Sequence, residues 1–167
     1  FPIPVQAVSE QIESILDDIF PDAIKIGMVH TPELVETIVE TLAKYKKVPI
    51  VFDPVMVATS GHRLIEEANI QTIIEKLFPI SDIITPNMDE ASILANMEVK
   101  TLDNMKIAGE NIKKLGCNHI LLKGGHQTTE KITSLFYNDK GDFQTFESLK
   151  LNTKNTHGSG CTLSSAI

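Results

Sequence analysis

Val8, Ile12, Ile15, Leu16 and Ile19 recur at the spacing of one helical face, so the chain opens on an amphipathic helix. A short apolar run at 23–28, just after Pro21, reads as a buried strand. Thr31-Pro32 then marks a helix start, with a hydroxyl cap and proline at the first helical position. Val35, Ile38, Val39 and Leu42 supply that helix with its apolar stripe. The alternation continues with a strand at 48–52 ending in Asp53-Pro54, a helix at 70–77, and a strand at 83–85 ending in Pro86. Helices follow at 88–95 and 102–115, then a strand at 119–123 that ends in Gly124-Gly125. These strands are short and apolar on both faces, as in a parallel sheet covered by helices. The pattern predicts a single α/β domain over 1–167, with three αβα layers and right-handed crossovers. One interruption is expected. Two β-prone runs, 133–137 and 143–146, flank a turn-rich loop containing Gly141, which predicts an antiparallel hairpin at the sheet edge.

Composition narrows the function classes. The 167 residues are 42% hydrophobic and 22% charged, ordinary for a globular domain. A net charge of −7 argues against nucleic-acid binding, which calls for a basic face. No apolar run approaches a membrane span, and no signal peptide is visible. Cys117 and Cys161 are the only cysteines, too few for a disulfide framework and without zinc-site spacing, so the expected compartment is the reducing cytoplasm. Phe1-Pro2-Ile3-Pro4 reads as mid-chain, and 162–167 as a helix cut short. The expectation is a domain truncated at both ends, with little activity of its own.

In open parallel sheets, ligands bind beyond the carboxyl ends of the strands, and the polar and glycine-rich residues fall there. Asn155-Thr156-His157-Gly158-Ser159-Gly160-Cys161 leads into a helix, whose first N–H groups and dipole would converge on an anion such as a phosphoryl group. Cys161 sits in the same field, which favours the thiolate. A small-residue helix entry with a structural cysteine is the competing reading. No Gly-Lys-Ser/Thr follows, so this is not a Walker A loop. Asn87 and Glu90, three apart on a helix, could offer oxygen ligands to Mg²⁺, or simply cap the helix. Asp53 could hold the metal or orient water, or merely start a turn. Lys123 could face nucleotide phosphates, with Gly124 and Gly125 letting the backbone approach, or it could be solvated. His126 and His157 could bind phosphate or stack on a ring, or simply be surface histidines. Met28 and Val55 could line a slot for a flat heterocycle, or belong to the core.

Five segments occur in order: Lys25-Ile26-Gly27-Met28; Asp53-Pro54-Val55-Met56-Val57-Ala58-Thr59-Ser60-Gly61; Ile84-Thr85-Pro86-Asn87 with Glu90; Lys123-Gly124-Gly125-His126; and Asn155 through Ser164. Together they resemble hydroxymethylpyrimidine/phosphomethylpyrimidine kinases of thiamine biosynthesis, in the ribokinase-like superfamily. That resemblance implies phosphorylation of 4-amino-5-hydroxymethyl-2-methylpyrimidine and of its monophosphate, with ATP and Mg²⁺. It implies an anion hole at Gly158, Ser159 and Gly160, and Cys161 as catalytic cysteine. Met28 and Val55 match pyrimidine-contacting positions. Asp53, Asn87, Lys123 and Gly125 fall in the nucleotide-phosphate region, and Glu90, Asn87 and Asp53 in the metal region. Ser159 replaces a threonine, a conservative change where the backbone N–H does the work. The family's N-terminal Gly-Gly turn and aminopyrimidine-reading glutamine precede Phe1, and its C-terminal helices are also absent here. A cysteine-containing pyridoxal kinase and a non-catalytic pyrimidine or nucleotide binder therefore remain as alternatives. The expected partners are the pyrimidine and ATP, with no nucleic acid or membrane, and a homodimer for the full-length protein.

Overall fold

The computed structural model describes residues 3–57, 64–125, 127, 130–153 and 156–167. Ala58, Thr59, Ser60, Gly61, His126 and Asn155, all drawn into the sequence reading, lie outside the described residues.

The first helix, α1 (Val5–Asp18), leads to strand β1 (Ile24–Ile26). Helix α2 (Pro32–Leu42) begins as its sequence predicts. Thr31 Oγ1 accepts from the Leu34 N–H at 3.3 Å, and Pro32 occupies the first turn, where its missing N–H costs nothing. Strand β2 (Ile50–Phe52) precedes α3 (Glu67–Thr72). The predicted helix at 70–77 does not stay α-helical. It loosens into a π-helical turn at Ile73–Leu77 and a 3₁₀ turn at Phe78–Ile80. Pro79 explains the change, because it has no N–H for the carbonyl four residues back and its ring crowds that carbonyl.

Strand β3 (Ile83–Ile84), helices α4 (Met88–Leu94) and α5 (Leu102–Lys113), strand β4 (His119–Leu122), the hairpin β5 (Lys131–Tyr137) and β6 (Phe143–Leu149), and helix α6 (Ser159–Ala166) complete the described chain. The sheet order is β1-β2-β3-β4-β5-β6. The first four strands are parallel, and β5 and β6 are antiparallel, as the alternation and hairpin signals predict. Parallel strands β1 to β3 are shorter than their apolar runs. The hairpin is longer than its apolar runs, because backbone pairing continues through exposed polar positions on β6.

One core runs from Ile26 and Phe52 through Ile84 and Ile120 to Leu135 and Tyr137. Burial alternates along the hairpin side. Ile120, Leu122, Leu135 and Tyr137 are buried, while His119 and Phe136 stack at 5.8 Å on a half-exposed face. Helix α5 packs against β4 and β5, and α6 reaches the sheet at β2. In α1 only Leu16 is buried, and Ile15 and Ile19 are exposed, so just part of its predicted stripe is covered.

Gly109 governs the α5 contact. A Cβ there would lie 2.4 Å from the ring of Tyr137, which is fully buried and donates its hydroxyl to Lys106 O at 3.0 Å. Burial, with a smaller contribution from Glu110, pushes the Tyr137 phenol up to about 12. Gly109→Ala gains about 1 kcal/mol of helix propensity but forces the ring to move, at a cost of about 1–3 kcal/mol. A net loss of stability is expected in chemical denaturation. The double variant Gly109→Ala/Tyr137→Leu should suffer less than the two single losses combined.

Candidate active site

Parallel pairing aligns the carboxyl ends of β1 to β4 along one edge of the sheet, and the chemistry gathers there. Asp53 directly follows β2 and is 2% exposed. Its Oδ1 accepts from Lys123 Nζ at 2.9 Å and from Thr85 Oγ1 at 2.9 Å, and its Oδ2 accepts from Ser164 Oγ at 3.3 Å. Four segments therefore meet on one carboxylate. Lys123 is carried past the end of β4 by a parallel bridge to Asn87, with its N–H on Pro86 O at 2.8 Å. Its side chain is only 15% exposed, so Asp53 and Lys123 form an ion pair largely out of water.

Helix α6 roofs this pair. Gly158 caps it in the left-handed conformation, φ 80°, which a side chain would strain. Ser159 N–H bonds Thr156 O, but helix geometry gives the N–H groups of Gly160 and Cys161 no intrahelical acceptor. Gly160 lies over the ion pair: a Cβ there would sit 3.3 Å from Lys123 Nζ and 4.0 Å from Asp53 Oδ2. Cys161, one residue on, is exposed, and so is His157. The predicted anion site and the predicted phosphate lysine are thus brought together.

Asn87 and Glu90 form the capping arrangement. Asn87 Oδ1 accepts from Glu90 N–H at 2.9 Å, and Glu90 Oε2 accepts from Asn87 N–H at 2.7 Å. Glu90 is buried, and its carboxyl is raised to about 7. Burial is the main cause; the Asn87 N–H, the Lys123 charge and a Met56 backbone hydrogen bond pull it down, and the Asp53 charge pushes it up. Asn87, whose N–H Glu90 accepts, is bridged to Lys123, and this sets Glu90 near the Asp53–Lys123 pair. Among the described residues, no three His, Cys, Asp or Glu side chains are grouped to hold a metal ion.

The two glycines after Lys123 differ. A Cβ at Gly124 would meet Thr133 O at 2.0 Å, so packing against β5 by itself requires a glycine there. Gly125 is exposed and faces open space. Met28 and Val55 follow the adjacent ends of β1 and β2. Met28 is 53% exposed, which removes the core-packing reading for it, and Val55 is half-buried. Thr85 and Ser164 fall within the motif segments but have no role assigned from sequence; only folding reveals that they share Asp53.

The profile of the phosphomethylpyrimidine kinase family matches residues 1–167. The chain belongs to this family. It is 36% identical over 167 residues to the hydroxymethylpyrimidine/phosphomethylpyrimidine kinase of Bacillus subtilis, covering 99% of this chain and 61% of that protein. It is also 38% identical over 166 residues to the thiamine biosynthetic bifunctional enzyme TH1 of Arabidopsis thaliana, covering 32% of it. The chain thus spans about three fifths of its bacterial relative. Among solved structures it resembles the phosphomethylpyrimidine kinase of Clostridium difficile, with TM-score 0.77 and 34% identity over 97% of this chain and 74% of that one. An ADP complex of Bacillus subtilis pyridoxal kinase gives TM-score 0.88 and 35% identity over 99% and 62% of the two chains. The ribokinase-like fold expected for a phosphomethylpyrimidine kinase is therefore the one formed.

Within this family member, the raised carboxyl of Glu90 has a stability consequence. The folded state holds its proton more tightly than the unfolded chain, so the contribution is full below pH 4.5 and is lost as pH rises through about 7. Its span is on the order of 3 kcal/mol at most. With chelator present, the parent should lose stability across this window. Glu90→Gln, which still accepts from Asn87 N–H, should flatten that decline in denaturant titrations at successive pH values.

Proposed function

We propose that the protein carrying this chain is an ATP-dependent kinase. It phosphorylates the hydroxymethyl group of 4-amino-5-hydroxymethyl-2-methylpyrimidine and then the resulting monophosphate, in thiamine biosynthesis. In this reading residues 1–167 belong to one kinase domain of a cytoplasmic, homodimeric enzyme. The observation that carries it is the seat of Gly160, at the start of α6, over the Asp53–Lys123 pair. A cation, free N–H groups and a helix N-terminus then face one point, where a transferring phosphoryl group needs them. The family match along the whole chain supports the same reaction class, and the bifunctional plant relative, named a thiamine biosynthetic enzyme, supports the pathway.

In the proposed reaction, Cys161 as thiolate takes the proton of the substrate hydroxyl. The freed oxygen attacks the γ-phosphorus of ATP in line, the bond to the bridging oxygen breaks, and ADP leaves. Asp53 is a poor competitor for the base role, since both its oxygens already accept hydrogen bonds. Lys123 and the exposed backbone of Gly125 face the nucleotide phosphates, and the N–H groups of Gly160 and Cys161 bind the phosphoryl group; the Ser159 N–H, expected to share that task, is held by Thr156 O instead. Met28 and Val55 contact the pyrimidine. Mg²⁺, when bound, would neutralise phosphate charge. Both Asp53 oxygens, Asn87 Oδ1 and Glu90 Oε2 already accept protein hydrogen bonds, so this donor set fits an ion held through its waters. Glu90→Gln should weaken the Mg²⁺ dependence of turnover, and an unchanged Mg²⁺ titration contradicts that role.

A second reading, pyridoxal kinase, is supported by the solved pyridoxal kinases that share this fold. Turnover of ATP by the full-length protein with hydroxymethylpyrimidine and with pyridoxal separates the two. Nucleotide binding without phosphorylation of either would point to a non-catalytic binder. For the base, Cys161→Ala should lower kcat by about 10²–10⁴-fold with little change in the KM for ATP. Cys161→Asp should keep part of the activity, because a carboxylate can accept the same proton. Alkylation should select Cys161 over Cys117, which is buried, donates to Ile112 O, and has its thiol pushed up to about 11 by burial. Near-parental kcat in Cys161→Ala removes the base assignment.

A further inference from the structure

Strand β4 stops at Leu122, but its neighbour β5 extends further in that direction. The register pairs Leu122 with Leu135, so Thr133 lies beyond the last ladder partner that β4 supplies. Thr133 is nonetheless buried, and so are its main-chain groups. They are met by the side chain of Gln127. Thr133 N–H donates to Gln127 Oε1 at 2.9 Å, and Gln127 Nε2 donates to Thr133 O at 3.1 Å. One carboxamide thus reproduces both hydrogen bonds that a peptide would make. Left alone, each buried group would cost about 1–3 kcal/mol.

The same residue closes the loop that follows Lys123. Gln127 N–H donates to Gly124 O at 3.0 Å, closing a turn that carries the exposed Gly125. Gly124 N–H donates to Ser134 Oγ at 3.2 Å, and the missing Cβ of Gly124 lets it press against Thr133 O. Lys150 Nζ donates to Gln127 O at 2.6 Å and ties the turn to the far end of β6. Gln127 is 8% exposed, and its Nε2 also lies 3.1 Å from Met105 Sδ of α5, so the amide has little freedom.

We propose that Gln127 is a positioning residue for nucleotide binding: its amide replaces the ladder partner that β4 lacks and so fixes the turn that presents Gly125. This rests on the proposed function only in assigning Lys123 and Gly125 to the nucleotide. Gln127 acts through that turn and touches no reacting atom. Loss of the clamp lets that turn drift, weakening contact with the phosphates, while Cys161 and the α6 N-terminus keep their geometry.

The test uses the full-length protein and two variants. Gln127→Met keeps the length of the side chain and its contact with Met105 but loses both hydrogen bonds to Thr133. Gln127→Asn keeps a neutral carboxamide but draws it back by one methylene from Thr133, and carries the test if the methionine variant does not fold. Thermal melting checks the fold, calorimetric titration with ADP gives Kd, and steady-state kinetics give KM for ATP and for the acceptor. Gln127→Met should raise the Kd for ADP and the KM for ATP about tenfold, a difference of about 1.4 kcal/mol. Its kcat and acceptor KM should stay within about twofold of the parent's, and Gln127→Asn should shift the nucleotide constants in the same direction. Parental ADP affinity in a folded Gln127→Met protein overturns the proposal. So does an acceptor KM or kcat that shifts as far as the ATP value, which marks a general structural role. A parent that binds ADP but phosphorylates neither pyrimidine nor pyridoxal sinks the functional reading alone, because the ADP titrations still decide the role of Gln127. A parent that binds no adenine nucleotide overturns both.

Discussion

The buried pair of Asp53 and Lys123 is the constraint to which the rest of the site answers. Two opposite charges withdrawn from water lose hydration that their mutual attraction recovers only if the remaining hydrogen-bonding positions are filled. Thr85 and Ser164 fill them on Asp53, one from the end of β3 and one from α6. Removing one member of such a pair costs about 3–5 kcal/mol, because the other charge is left stranded. The pair therefore links β2, β3, β4 and α6 at a single point. It also explains the glycine at 160, since a side chain there would press on the lysine.

The second organising element is the start of α4. The Asn87 and Glu90 cap satisfies helix N–H groups, yet it places a buried carboxyl next to the ion pair. Desolvation then raises the Glu90 carboxyl to about 7, well above the usual carboxylate range. Capping and chemistry are not rivals here. The cap fixes Glu90 where its charge bears on Lys123 and Asp53.

Much of the fold was legible because its local signals are strong. Thr31-Pro32 starts α2 through a hydroxyl cap, and the glycine-bearing loop at 138–142 joins β5 to β6. The strand ends were legible too, and with them Asp53, Lys123 and the 158–161 turn, because polar and glycine residues interrupt apolar runs there. What could not be read was partnership. Nothing local marks Thr85 or Ser164 as ligands of Asp53, which lies 32 residues from one and 111 from the other. Gly124 and Gly125 look alike in sequence, yet only Gly124 is pressed against a backbone carbonyl. The loosening of the helix before Pro79 was within reach of sequence reasoning, since proline breaks the ladder wherever it falls.

The sequence by itself determined the alternation of strands and helices, the parallel order with its antiparallel edge, the motif segments and so the family. These depend on the period of apolar residues and on caps and turns, which act over a few residues. Only the tertiary structure decided which polar groups share a carboxylate, which glycine serves packing, and that Gln127 completes a ladder β4 leaves short. Those facts follow from desolvation: once folding excludes water, each buried donor or acceptor must find a partner, and that partner is set by the path of the whole chain.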